Sequence, residues 1–170
     1  MAAAGDHFAV LGLTARHDLP RDEVETAYLA RAQVWHPDKV APGETAARRQ
    51  AMEASAALNE AYRVVRDPIS RLEYIVKTQG IDLDSSDENT GAPSPSQAFL
   101  IDMIERRDDL EQAKASGGSK AASFRDAVED SHDEAVDAAI AAVAGGDTPA
   151  AAQWLVQRRY WQRLLDEIDA

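Results

Sequence analysis

Strict alternation of apolar and polar residues, the mark of a strand, forms no convincing run in this chain, and no Asn-Gly pair offers a hairpin turn. Apolar residues recur instead at helical spacing between proline and glycine breaks. The clearest case is Ala47, Ala51, Ala54, Leu58, Ala61, Tyr62 and Val65, which share one stripe of a helix expected from about Glu44 to Arg66. Such a chain is restricted to an all-α fold.

The breaks give the order of elements. A short helix is expected over Asp6 to Leu11, with Asp6 as N-cap and Gly12 as its end. A second runs from about Pro20 to Trp35, opening on Asp22 and Glu23, with Val24, Ala27, Tyr28, Val34 and Trp35 as its apolar face. Pro37 disfavours a helical His36, so a loop follows to Gly43. The alanine-rich third helix should pair antiparallel with the second. Asp67-Pro68 then caps a fourth helix to about Thr78. Three more segments, Gln97 to Ala115, Ser119 to Ala144 and Thr148 to Asp169, are joined by glycine turns and read as an antiparallel bundle. Thr148 is the expected cap of the last, with Pro149 in its first turn.

A length of 170 residues suits two small domains as well as one. Charge separates them. Through Thr78 there are 10 Lys and Arg against 11 Asp and Glu, whereas from Gln79 onward there are 8 against 19. Between the two parts, Asp82 to Gln97 has almost no apolar residue after Leu83 and should order poorly, as a linker does. The expected division is therefore 1–79, a linker at 80–97, and an acidic three-helix domain at 98–170.

The formal net charge of −12 argues against nucleic acid and anionic membranes as partners. The absence of cysteine removes disulfides, thiolate metal sites and cysteine nucleophiles. No metal and no cofactor is expected. No apolar run approaches the ~18 residues of a membrane helix. The first residues lack a basic region and a long apolar run, and the first basic residue is Arg16, so a cytoplasmic location is expected. His132 falls in the apolar arc of its helix and reads as a packing residue. His36 with Asp38 could be pictured as an acid–base pair, but no nucleophile, oxyanion hole or phosphate loop accompanies it, so catalysis is not expected.

The loop between the second and third helices carries His36-Pro37-Asp38, followed by Lys39. The proline pre-shapes the backbone, and a stiff loop presenting polar side chains from a helical scaffold is a binding arrangement. The helix–HPD–helix order, the short leading helix and the placing of Tyr28 and Trp35 resemble the J domain of DnaJ-type co-chaperones. DHFAVLGL at 6–13, WHPDK at 35–39, NEAYRVVRDPISRLEYIV at 59–76 and FLIDMIERRDDLEQAK at 99–114 are similar to the HscB family of iron–sulfur co-chaperones. The resemblance covers nearly the whole chain.

It implies a J domain that stimulates the ATPase of a DnaK/HscA-type chaperone, and an acidic domain that binds an IscU-like scaffold protein. Carried over, His36, Pro37 and Asp38 contact the chaperone, with Lys39 and Arg31 in support. The helix before the HPD departs from the family's basic face: only Arg21 and Arg31 serve, among Asp22, Glu23 and Glu25, so Arg48 and Arg49 are further candidates. Nothing demands more than a monomer. A J-domain protein with a different client is the rival reading.

For the acidic half, a helical wheel separates two apolar groups on the 97–115 helix. Phe99, Met103 and Leu110 lie within about 40° of one another. Leu100 and Ile104 lie roughly 100–140° round and Ile101 near 200°, among Glu105, Asp108 and Glu111. The second group is either a partner surface or the flank of a helix wedged between two others, and periodicity does not choose. On the last helix Trp154, Trp161, Leu165 and Ile168 share a stripe with Leu164 beside it, and Tyr160 falls about 100° away. The family resemblance assigns scaffold binding to Leu100, Ile101, Ile104, Glu105, Asp108 and Tyr160.

Overall fold

A computed structural model describes residues 6–35 and 44–170. Seven helices are present among them: α1 (His7–Leu11), α2 (Arg21–Trp35), α3 (Thr45–Arg66), α4 (Pro68–Thr78), α5 (Gln97–Ser116), α6 (Gly118–Ala144) and α7 (Thr148–Asp169). No strand occurs among the described residues; an isolated bridge joins Asp82 and Gly91. The all-α expectation holds. The chain divides into two compact units, Met1–Ile75 and Val76–Ala170.

In the first unit the Asp6 carboxylate accepts the Phe8 N–H and starts α1. Gly12 ends it at φ 77°, where the Gly12 N–H donates to Ala9 and the Leu13 N–H to Phe8, closing a Schellman turn. Phe8 and Leu11 are buried, as are Leu19, Val24 of α2, and Leu58, Ala61 and Val65 of α3. Each such leucine contributes about 1.5–3 kcal/mol when fully covered. The expected α3 stripe is the packed one, with no member exposed. Tyr28 stacks on Tyr62 at 4.2 Å and donates to Asn59 Oδ1 at 3.0 Å. Arg21 at the start of α2 shares a pocket with Arg63 and Arg66 at the end of α3, so the two helices run antiparallel. Asp67, extended as a residue before proline must be, caps α4 by accepting the Ser70 N–H at 2.7 Å.

A buried arginine holds this unit. Arg71 is 5% exposed, and its Nη1 donates to the carbonyls of Leu19 at 2.9 Å and Val65 at 3.2 Å. It thereby ties the segment leading into α2 to the end of α3. Burial lowers its pKa from the ordinary value, yet a guanidinium stays charged at any pH the fold survives.

In the second unit α5, α6 and α7 pack around Met103, Leu110, Val128, Ala135, Trp161, Leu164 and Leu165. Phe99 meets Trp161 edge-on at 5.6 Å. The Ser96 hydroxyl caps α5 by accepting the Phe99 N–H.

Three expectations are corrected. Val34 is not on the packed face of α2: it is 68% exposed, because the face toward the core is centred on Val24 and is narrower than the sequence suggests. The α7 cap is Asp147, whose carboxylate accepts the Ala150 N–H; Thr148 already lies inside the helix. The segment 82–97 does not order poorly. Its backbone closes on itself through Asp82 N–H to Thr90 (2.6 Å), Gly91 N–H to Asp87 (2.8 Å) and Ala92 N–H to Ser85 (3.1 Å). Asp87 Oδ1 also accepts from Asn89, Thr90 and the Thr90 hydroxyl, which holds this carboxyl below its usual range. Arg159 donates to the Leu83 carbonyl at 2.9 Å and pairs with Asp84 at 3.0 Å. Short polar side chains satisfy the backbone locally, so order here requires little apolar burial beyond Leu83.

Candidate functional site

Two regions carry candidate residues. In the first unit, His36, Pro37, Asp38 and Lys39 lie outside the described residues. The frame that leads to them is described. Arg31 lies about 20° from Val24 on a helical wheel, on the inward side of α2. Its guanidinium sits over the Trp35 ring at 5.3 Å, and a Cβ built on Gly12 would come within 2.5 Å of Arg31 Nη2. Arg31 therefore packs on the turn ending α1 and on Trp35, the residue before His36. At the start of α3, Arg48 and Arg49 are exposed, and Arg49 reaches Glu53 at 3.8 Å.

In the second unit the structure separates the two apolar groups of α5. Met103 and Leu110 are buried, whereas Leu100, Ile101 and Ile104 are 38%, 50% and 63% exposed. Only one flank of α5 is covered by α6 and α7, so the wedged-helix alternative does not apply to these three. Leu100 and Ile104 join Met103, Tyr160 and Leu164 in lining a cleft of about 390 Å³. Tyr160 is held edge-on against Phe99 at 5.7 Å. Ile101, Glu105 and Asp108 are exposed outside the cleft lining.

Two cleft residues were not foreseen: Arg107 and Arg163. Arg107 Nη2 donates to Glu167 at 2.7 Å, and the Arg163 guanidinium lies 5.7 Å from the Tyr160 ring centre. The signal was available in the spacing. Arg107 is seven residues after Leu100, and Arg163 three after Tyr160, so each shares a helix face with its apolar neighbour. The surface is thus apolar and aromatic, with guanidinium groups as well as carboxylates beside it.

His132 is partly buried, with Nδ1 3.0 Å from Asp133. Among the described residues no group of three or more His, Asp or Glu side chains could hold a metal ion. No helix among them is long and apolar enough to cross a membrane.

Comparison with known proteins matches both units. A DnaJ domain family model matches residues 6–74, and a model described as the HSCB C-terminal oligomerisation domain matches residues 95–169. The co-chaperone protein HscB homolog of Bordetella avium is 33% identical over 174 aligned positions, covering 99% of this chain and 98% of that protein. The homolog of Bordetella petrii is 42% identical over 112 positions, which span 66% of this chain and 64% of the relative. Among solved structures, the chaperone HscB from Vibrio cholerae superposes with a TM-score of 0.75 at 23% identity, covering 96% of this chain and 94% of that one, a likeness of fold.

Proposed function

Because this chain belongs to the HscB co-chaperone family and carries a J domain, we propose that it delivers an IscU-like iron–sulfur scaffold to a DnaK/HscA-type chaperone and stimulates that chaperone's ATPase. In this reading the chain binds no nucleotide and makes or breaks no bond itself. His36, Pro37 and Asp38 engage the chaperone, supported by Lys39, with Arg31 holding Trp35 beside them. Residues 1–79 form the J domain, 80–97 the connection, and 98–170 the client-binding domain. The scaffold contacts Leu100, Ile101, Ile104, Glu105, Asp108 and Tyr160.

The observation that carries the client half is the exposure of Leu100, Ile101 and Ile104 on one helix. Three large aliphatic side chains left in water beside an aromatic cleft are the composition of an interface centre rather than of a solvated helix face. Coupling to the chaperone then needs no chemistry. Holding scaffold and J domain on one chain raises the effective concentration of one partner for the other.

The test is a steady-state ATPase assay of the chaperone with scaffold, with this protein, and with both. The wild type should stimulate, most strongly with scaffold present, and His36→Gln should lose stimulation while keeping its fold and its scaffold binding. Full stimulation by His36→Gln would refute the chaperone role. Normal stimulation with no scaffold binding would leave a J-domain protein of another client.

A further inference from the structure

The cleft between α5 and α7 is bordered by charge of both signs, and the two signs lie on opposite edges. On a helical wheel of α5, Leu100 and Ile104 sit mid-arc, with Arg107 on the side nearer the buried stripe and Asp108, Ile101 and Glu105 on the far side. Glu111 shares the angle of Leu100 and Ile104 but lies two turns beyond Ile104, outside the cleft lining. Arg107 reaches across to α7, donating to Glu167 at 2.7 Å. Arg163 joins the lining from α7 beside Tyr160. An apolar strip is thus flanked by guanidinium groups toward α7 and by carboxylates away from it.

The two arginines are not equivalent. Glu167 is one turn beyond Arg163, yet its carboxylate is engaged by Arg107 and its backbone carbonyl by Lys114. Among the described residues Arg163 has no ion pair, although from Gln79 onward the chain holds 19 Asp and Glu against 8 Lys and Arg. Arg106, Arg125 and Arg159 of the same unit all hold carboxylates. Arg163 instead lies over the Tyr160 ring, 5.7 Å from its centre, and that ring is fixed edge-on by Phe99. Contact with a ring face uses none of the five guanidinium N–H donors, so a planar fork is left open at the rim of the cleft.

The chemistry of the lining selects the occupant. A cleft of about 390 Å³ is small beside a helix about 10–12 Å across, so it takes individual side chains. Leu100, Ile104 and Tyr160 suit an aliphatic or aromatic group, and the Arg163 fork suits a carboxylate held by two N–H donors. Phosphate chains and nucleic acid are repelled by the surplus of acid in this half of the chain, whereas one carboxylate beside an apolar group gains more from Arg163 than it loses. We propose that Arg163 receives a carboxylate of the scaffold protein, next to a large apolar side chain of the scaffold that fills the cleft, while Arg107 holds Glu167 aside. This rests on the scaffold-binding role proposed above and adds a direction to the complex. With guanidinium groups on one edge and Glu105 and Asp108 on the other, a scaffold segment turned end for end brings like charges together at both edges, which disfavours that orientation.

The experiment is titration calorimetry of purified IscU-like scaffold into the full chain, as wild type, Arg163→Gln, Arg163→Glu and Arg125→Gln. Arg163 is exposed, and a thermal melt checks that each variant is folded. Near 0.1 M salt Arg163→Gln should raise Kd about tenfold and Arg163→Glu further. Arg125→Gln removes the same charge outside the cleft and should change Kd less than about twofold. A charge swap then separates a direct contact from packing. Scaffold Asp and Glu residues that adjoin an exposed large apolar residue are changed to Lys one at a time; one of them should weaken binding to wild type and regain most of it with Arg163→Glu. A Kd for Arg163→Gln within about twofold of wild type, with wild-type binding normal, would overturn the inference and leave the scaffold role standing. Equal weakening by Arg125→Gln would overturn it in favour of net charge alone, and a loss that no scaffold variant rescues would overturn it in favour of packing on Tyr160. Absence of scaffold binding by wild type would remove both readings.

Discussion

Truncating Leu100 and Ile104 together to alanine tests the client surface with a magnitude the structure supplies. The two side chains are 38% and 63% exposed, which together amounts to about one whole aliphatic side chain still in water. Covering one such side chain is worth about 1.5–3 kcal/mol, so the double variant should weaken scaffold binding by roughly 10–150-fold. The same numbers say that folding should suffer less. The part of each side chain already packed is lost, but alanine recovers a few tenths of a kcal/mol of helix propensity at each site. A net loss of about 1–2 kcal/mol, a shift of a few degrees in Tm, is expected. Isothermal titration with purified scaffold and a melt followed by circular dichroism measure the two effects separately. A change in Kd of less than about threefold, with the helices intact, would refute the argument, because no partner could then be covering that area.

Three further outcomes follow from the first unit. Arg71→Met should lower stability by about 3 kcal/mol, because the Leu19 and Val65 carbonyls each lose a charged donor; urea titration measures it, and an effect below about 1 kcal/mol would contradict the assigned role. Gly12→Ala should cost more than 1 kcal/mol or so, from the positive φ and from collision with Arg31. In an Arg31→Ala background that cost should fall but not vanish, and strict additivity in the double-mutant cycle would show that the two do not touch. His7, stacked on Tyr74 at 4.4 Å, has its pKa pushed below the ordinary 6.5, chiefly by burial. The unfolded chain therefore binds the proton more readily. The stability His7 contributes is complete above the unfolded value and is lost as pH falls from there through the folded value. Melts between about pH 7.5 and 5.5 should show a slope that His7→Gln removes.

Much of the architecture was legible because it depends on local chemistry. Asp6, Gly12, Asp67 and Pro68 act through their own backbone or that of residues within one turn, and each does what its type predicts. The misreadings arose where a local rule met a competing neighbour. Asp147 and Thr148 are both good caps, and which one serves depends on where the preceding turn releases the chain. Val34 and Arg31 sit three residues apart on α2, and by hydropathy the valine should be inside. The arginine takes the inward place because Gly12, lacking a side chain, leaves room for a guanidinium beside the turn, with the Trp35 ring to cover it.

An all-helical chain, the positions of its breaks, the His36-Pro37-Asp38 sequence between the second and third helices, and the concentration of acid in the second half are all legible in the residues alone. Those properties follow from spacing, capping and composition, all of which act over a few residues. Tertiary packing sets which apolar residues of α5 remain in water, with Arg107 and Arg163 framing the cleft beside them. It alone gathered Arg21, Arg63, Arg66 and Arg71, up to 50 positions apart in the chain, around one pocket. Exposure and charge grouping depend on which neighbour covers a face. Three helices leave some faces uncovered, and periodicity along one helix does not say which.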